Sequence, residues 1–149
     1  MWFGLQTYKK ENVKFKSHRI SISDEELGCT ITFYEKEKES YTENSNVQKT
    51  INSIGTYLML QRTYPEDEFE TDYYYIELSD FEKSGELSNF KIELNKNKFG
   101  IVWESEKAEI ELSISELDFE KLKEALRIIT NDIGQLTLIE WKVKKPTLS

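Results

Sequence analysis

A chain of 149 residues with a formal charge of −8 and an aromatic content of 13% is long enough for one domain to bury a core without disulfide or metal staples, and too aromatic to read as disordered. The acidity disfavours nucleic acid as a partner, since phosphate recognition calls for a basic stripe. A mean hydropathy of −0.63, with no long apolar run, argues against a membrane span.

The first residues, MWFGLQTYKK, do not read as a secretory signal, because the apolar stretch is short and its lysines follow it; the expected compartment is the cytoplasm. From there a period of two dominates. Val13 and Phe15 flank Lys14, Ile20 and Ile22 flank Ser21, and Cys29, Ile31 and Phe33 alternate with threonines after a turn at Asp24–Gly28. Lys36 to Lys49 is polar and reads as a long loop with a mobile tip. Gly55 to Gln61 is apolar enough for a central strand, Thr63 to Glu70 is a charged loop containing Pro65, and Asp72 to Leu78 resumes as a strand. After a break at Lys83-Ser84-Gly85 a three-strand meander follows. Phe90, Ile92 and Leu94 lead into a hairpin turn at Asn95–Lys98, where asparagine tolerates left-handed backbone angles; Phe99, Ile101 and Trp103 return, and Ala108, Ile110, Leu112 and Ile114 close it.

The period then changes to that of a helix over about residues 116–130. Phe119, Leu122, Leu126 and Ile129 form its apolar stripe, with Ser115 or Asp118 as N-cap. A last strand alternates Thr137, Ile139, Trp141 and Val143. The expected fold is a single α+β domain over 1–149: a mainly antiparallel β-sheet of about seven or eight strands, with one main α-helix packed on one face near the C-terminus. Phe90, Ile92, Ile101, Ile110, Leu112 and Ile139 are expected inside.

Chemistry-bearing residues are few. The one cysteine, Cys29, shares a strand face with Ile31 and Phe33 and reads as a buried, inert thiol. The one histidine, His18, stands in KFKSHRI with no motif around it. One Cys and one His exclude a Cys–His zinc site. Glu140-Trp141-Lys142, with Asp132 upstream, matches the E-x-K spacing of metal-dependent nucleases, but Glu140 and Lys142 share a strand face where a surface charge pair is the simpler reading. The run Glu66–Asp72 has the charge for calcium but lacks the D-x-D-x-D-G order whose glycine lets a loop wrap the ion. No metal, no cofactor and no enzymatic activity are expected.

The acidity is concentrated. Between Arg62 and Glu86 nine carboxylates stand against two basic residues, nine minus two leaving a local −7. Such a patch attracts basic surfaces. Tyr73 and Tyr75 share one strand face beside it, with Tyr74 on the other, and tyrosine supplies contact area at small entropic cost. The candidate partner-binding residues are therefore Glu66, Asp67, Glu68, Glu70, Asp72, Tyr73 and Tyr75.

The order GTYLMLQR, acidic loop, DYYYIELSD, the Lys83-Ser84-Gly85 break, NFKIEL-NKNK-FGIVWE, AEIELSI and ELDFEKLKEALRII resembles the immunity protein 10 family of bacterial polymorphic toxin systems, over roughly residues 55–130. The resemblance implies a cytoplasmic protein that binds a cognate toxin domain and neutralises it stoichiometrically, without turnover. Many such toxins are nucleases with basic clefts, so a basic surface is the implied partner. A non-catalytic interaction or ligand-binding domain unrelated to toxins is the alternative.

Overall fold

Alternation along the strands resolves into two inward faces rather than one. The structure, a computed structural model, describes residues 13–36, 55–131 and 133–139. In chain order these form β1 (Val13–Ser17), β2 (Arg19–Glu25), β3 (Gly28–Tyr34), β4 (Tyr57–Thr63), β5 (Tyr73–Leu78), a 3-10 turn (Phe81–Lys83), β6 (Gly85–Glu86), β7 (Phe90–Asn95), β8 (Lys98–Trp103), β9 (Glu106–Leu112), α1 (Glu116–Ile129) and β10 (Gln135–Leu138). The fold is α+β. One five-stranded sheet runs β1-β9-β8-β7-β10; the other runs β2-β3-β4-β5-β6. The second is antiparallel throughout, whereas in the first both edge strands, β1 on β9 and β10 on β7, pair in parallel.

The inward rows are those the alternation picks out. In the second sheet Phe33, Leu58 and Leu78 stand in one cross-strand row and Ile31, Leu60 and Ile76 in the next. From the first sheet come Phe90, Ile92, Leu94, Phe99, Ile101, Trp103, Ala108, Ile110 and Leu112, and all of these join one buried cluster. Phe33 and Phe99 meet across it with ring centroids 4.4 Å apart. α1 packs on β2 and β3 and buries Leu122, Ala125, Leu126 and Ile129 into the same core. Ser115 caps it, its Oγ accepting from the backbone N–H of Asp118 at 3.1 Å.

One strand passes from sheet to sheet at Ser17. Its fully buried hydroxyl lies 2.9 Å from the Tyr34 carbonyl and 3.1 Å from that of Arg19, while its own carbonyl accepts from Ser113 N–H at 2.9 Å. A small hydroxyl residue fits there because the corner leaves backbone carbonyls that a buried site must satisfy.

Four expectations change. Ten strands in two sheets replace one sheet of seven or eight among the described residues, because the parallel edge strands belong to long-range pairings that local alternation does not reveal. Ile139 is 42% exposed instead of buried: Leu136 and Leu138 pair with Ile92 and Leu94 and face the core, so the opposite parity faces out. Phe119 is half-buried at the margin of the helix stripe, with the Lys123 ammonium 5.6 Å from its ring. The Asn95–Lys98 turn uses no left-handed residue; Asn95 Oδ1 accepts from Asn97 N–H at 2.8 Å instead, and among the described residues the left-handed non-glycine is Glu104 (φ 48°), in the β8–β9 turn. The expected loop after Lys36, the Asp132, Glu140 and Lys142 constellation, and Trp141 and Val143 lie outside the described residues.

Candidate functional site

The outward face of β2-β3-β4-β5-β6 is built by registry. Directly paired residues on antiparallel strands share a face. Arg19, Tyr34 and Tyr57 therefore make one row; Ser21, Thr32, Met59 and Glu77 the next; Ser23, Thr30, Gln61, Tyr75 and Glu86 the third; and Thr63 with Tyr73 the last. Four tyrosines and a methionine thus lie on one flank of a sheet whose other flank is core. Tyr73 and Tyr75 stack with centroids 6.4 Å apart, and Tyr73 is 45% exposed. At the far end the Arg19 guanidinium sits 3.8 Å from the Tyr34 ring centre. Between them Glu77 accepts from the Tyr57 hydroxyl at 2.6 Å and from that of Tyr75 at 3.4 Å. Burial raises both phenols above their ordinary range and the Glu77 charge adds to it, so both remain donors at neutral pH.

The acidic loop joins this face at Tyr73. Glu66, Asp67, Glu68 and Glu70 are all exposed. The loop holds itself in shape: Glu70 Oε1 accepts from Glu66 N–H at 2.9 Å, and Asp67 Oδ1 from Phe69 N–H at 2.8 Å. Phe69 rides on it with 86% of its surface exposed. Asp72 does not belong to this group. It precedes Tyr73 by one residue and therefore turns to the opposite flank, where its Oδ2 accepts from Arg62 Nε at 2.7 Å. Arg62 in turn donates from Nη1 to the Ile128 carbonyl at 2.5 Å, satisfying a backbone acceptor in the last turn of α1.

The structure places Tyr73 and Tyr75 together on the outward face, leaves Glu66, Asp67, Glu68 and Glu70 exposed on the loop that leads into Tyr73, and turns Asp72 to the opposite flank. Sequence reading missed Phe69, an apolar residue isolated within a charge run and visible as such. It also missed Tyr34, Tyr57, Met59 and Glu77, which come together only through strand registry.

Other chemistry-bearing groups are engaged structurally. Cys29 is fully buried, and burial, with Asp24 adding, pushes its thiol up to about 11, the reverse of an activated nucleophile. The Tyr64 hydroxyl donates to Asp24 Oδ1 at 2.6 Å. His18 is exposed, its Nδ1 2.9 Å from the Glu35 carbonyl oxygen. The described residues contain no group of three or more potential metal ligands. The outward face of the first sheet carries Lys14, Lys98 and Lys107, which all reach Glu109, at 3.7, 3.1 and 3.6 Å. A groove of about 810 Å³ beside β1 and the β7–β8 turn has lysine and glutamate as its titratable lining among the described residues. No family model matches the chain, and no curated protein or solved structure does either.

Proposed function

We propose that this chain is a non-catalytic protein-binding domain that neutralises a bacterial toxin domain by stoichiometric docking, as its resemblance to the immunity protein 10 family implies. The observation that carries the binding part is a tyrosine-rich sheet face entered, at Tyr73, from an exposed acidic loop that also exposes Phe69. Aromatic side chains at the centre of an interface supply most of its energy, and rim charges mainly set the rate of encounter. Glu66, Asp67, Glu68 and Glu70 would attract a basic partner, while Phe69, Tyr73 and Tyr75 would hold it. A basic protein other than a toxin would meet the same surface.

The test uses a toxin domain encoded beside this chain's gene. Its activity is expected to fall to zero at an equimolar ratio. Reversing Glu66, Glu68 and Glu70 to Lys should slow association by roughly tenfold or more at low salt and flatten its salt dependence. An unchanged association rate means that the loop serves solubility and the partner docks elsewhere. Absence of any inhibition removes the toxin from the reading.

A further inference from the structure

Within the tyrosine face Glu77 is electrostatically unfinished. Its strand neighbour Tyr75 and its diagonal cross-strand neighbour Tyr57 each aim a hydroxyl at the carboxylate, at 3.4 and 2.6 Å. Both are neutral donors. Among the described residues the ion pairs of the molecule lie elsewhere, and none reaches Glu77. An ionised carboxylate offers about four lone-pair sites, and two hydroxyls leave about two open. Directly across on β4 stands Met59, an apolar floor on the same face. The result is a half-buried anion framed by aromatic rings.

That frame fits a planar cation. A guanidinium can donate two parallel N–H bonds to one carboxylate while its plane lies on an aromatic ring. An ammonium is a compact point charge that keeps more of its water. The chain already uses the same pairing on this face, where its own Arg19 lies 3.8 Å from the Tyr34 ring centre, one row from Glu77. Among the described residues the face thus has one aromatic position filled by an internal guanidinium and a second, around Glu77, that holds none.

We infer that Glu77, with Tyr57 and Tyr75, is the recognition point for an arginine side chain of the partner protein. This deepens the proposed docking surface and rests on it for the identity of the partner. It does not depend on it for the site itself. The occupant follows from charge complementarity: the chain is acidic, the face holds a carboxylate with no ion pair among the described residues, and the neighbouring loop attracts basic surfaces.

The experiment is an NMR titration of the intact protein, reading the Met59 methyl and the Tyr57 and Tyr75 ring signals. The probes are N-acetyl-arginine amide, its neutral isostere N-acetyl-citrulline amide, and N-acetyl-lysine amide. The arginine probe should shift those signals saturably, and citrulline should not. Lysine should bind at least about threefold more weakly, for want of the bidentate, stacked geometry. Glu77→Gln should weaken the arginine probe at least tenfold. Glu93→Gln, the same charge change at an exposed position of β7 on the other sheet, should leave it unaltered. Equal binding in wild type and Glu77→Gln, shifts confined to the acidic loop, or equal binding of lysine and arginine would each overturn the inference. Tyr57→Phe is the second variant: it removes one donor and leaves the carboxylate, so arginine binding should persist. Its loss there would point to a merely structural role for the ring pair. A parallel arm measures toxin association with Glu77→Gln. Toxin binding through this face that is unaffected by Glu77→Gln refutes the arginine assignment and spares the docking surface. Specific arginine binding without any toxin binding supports the site and refutes the toxin.

Discussion

Asp72 provides the sharpest separation between a residue that holds the fold and one that faces a partner. Replacing it with Asn removes one charge from an ion pair whose side chains are 11% (Arg62) and 25% (Asp72) exposed and whose Nε–Oδ2 distance is 2.7 Å. An exposed pair contributes about 0–1 kcal/mol, and removing one partner from a fully buried pair costs about 3–5 kcal/mol. The observed burial lies between those limits. Asn retains an acceptor for the guanidinium, and the bond from Arg62 to the Ile128 carbonyl survives. The expected loss is therefore about 1.5–3 kcal/mol. For a chain of this size it corresponds to a Tm lowered by roughly 3–12 °C, at about 2–4 °C per kcal/mol. Urea unfolding followed through the fluorescence of the buried Trp103 should show a lower midpoint with the slope unchanged. Partner association at low salt should be the same as in the wild type, because Asp72 lies on the flank opposite Tyr73 and Tyr75. An unaltered midpoint together with slowed association would return Asp72 to the binding surface and refute the reasoning.

Two further predictions concern the first sheet. Gly134→Ala should cost about 2–4 kcal/mol by chemical denaturation, the sum of a left-handed backbone penalty and overpacking: Gly134 has φ +78°, and a Cβ there would stand 2.6 Å from the ring of the buried Phe90. A neutral substitution would mean that the turn into β10 does not pack on β7 as described. Glu109 titrates below the ordinary carboxylate range, chiefly through its hydrogen bond with Lys98, with burial opposing and the charges of Lys98, Lys107 and Lys14 assisting. A carboxyl whose folded pKa is depressed contributes stability that is present above its unfolded pKa, ordinarily about 4.3, and lost as pH falls through the folded value. Glu109→Gln should accordingly flatten the acid limb of the stability profile below that ordinary value, and identical acid limbs in the two proteins would refute it.

Most of the inward face was legible because period-two alternation and burial share one cause. Cys29, Ile31 and Phe33, or Phe90, Ile92 and Leu94, announce their face without any knowledge of the partner strand. The same rule already separates Asp72 from Tyr73 and Tyr75, since adjacent strand residues point to opposite flanks; weighing the acidic run as one patch obscured it. The parity of the last strand was less accessible. Both Leu136/Leu138 and Thr137/Ile139 contain apolar residues, and only the parallel registry with Ile92 and Leu94 decides between them. The tyrosine face was hidden for a different reason. Tyr34, Tyr57 and Glu77 are separated by stretches of chain with no local period linking them, and they converge only when β3, β4 and β5 lock in register.

On the proposed docking mode, the two outward faces of the sandwich differ in the sign of the charge they present. On the first sheet Lys14, Lys98 and Lys107 converge on Glu109 and Lys16 lies 3.9 Å from Glu111, so four ammonium groups meet two carboxylates and leave positive charge in excess. On the second, Glu77 meets, among the described residues, only neutral hydroxyls, and the neighbouring loop places four carboxylates with no basic residue between Glu66 and Glu70. Both fields reach about 8 Å, the screening length at physiological salt, so a basic partner would be repelled by the first and attracted by the second. A basic partner would therefore be drawn toward the Glu66–Glu70 end and arrive with Phe69 and Tyr73 as its first apolar contacts. The tyrosine rows behind them are set on a sheet already fixed by the core beneath, so docking there orders little that is not ordered before. Steering and holding thus fall to different residues, with charge acting on the association rate and aromatic contact on the dissociation rate.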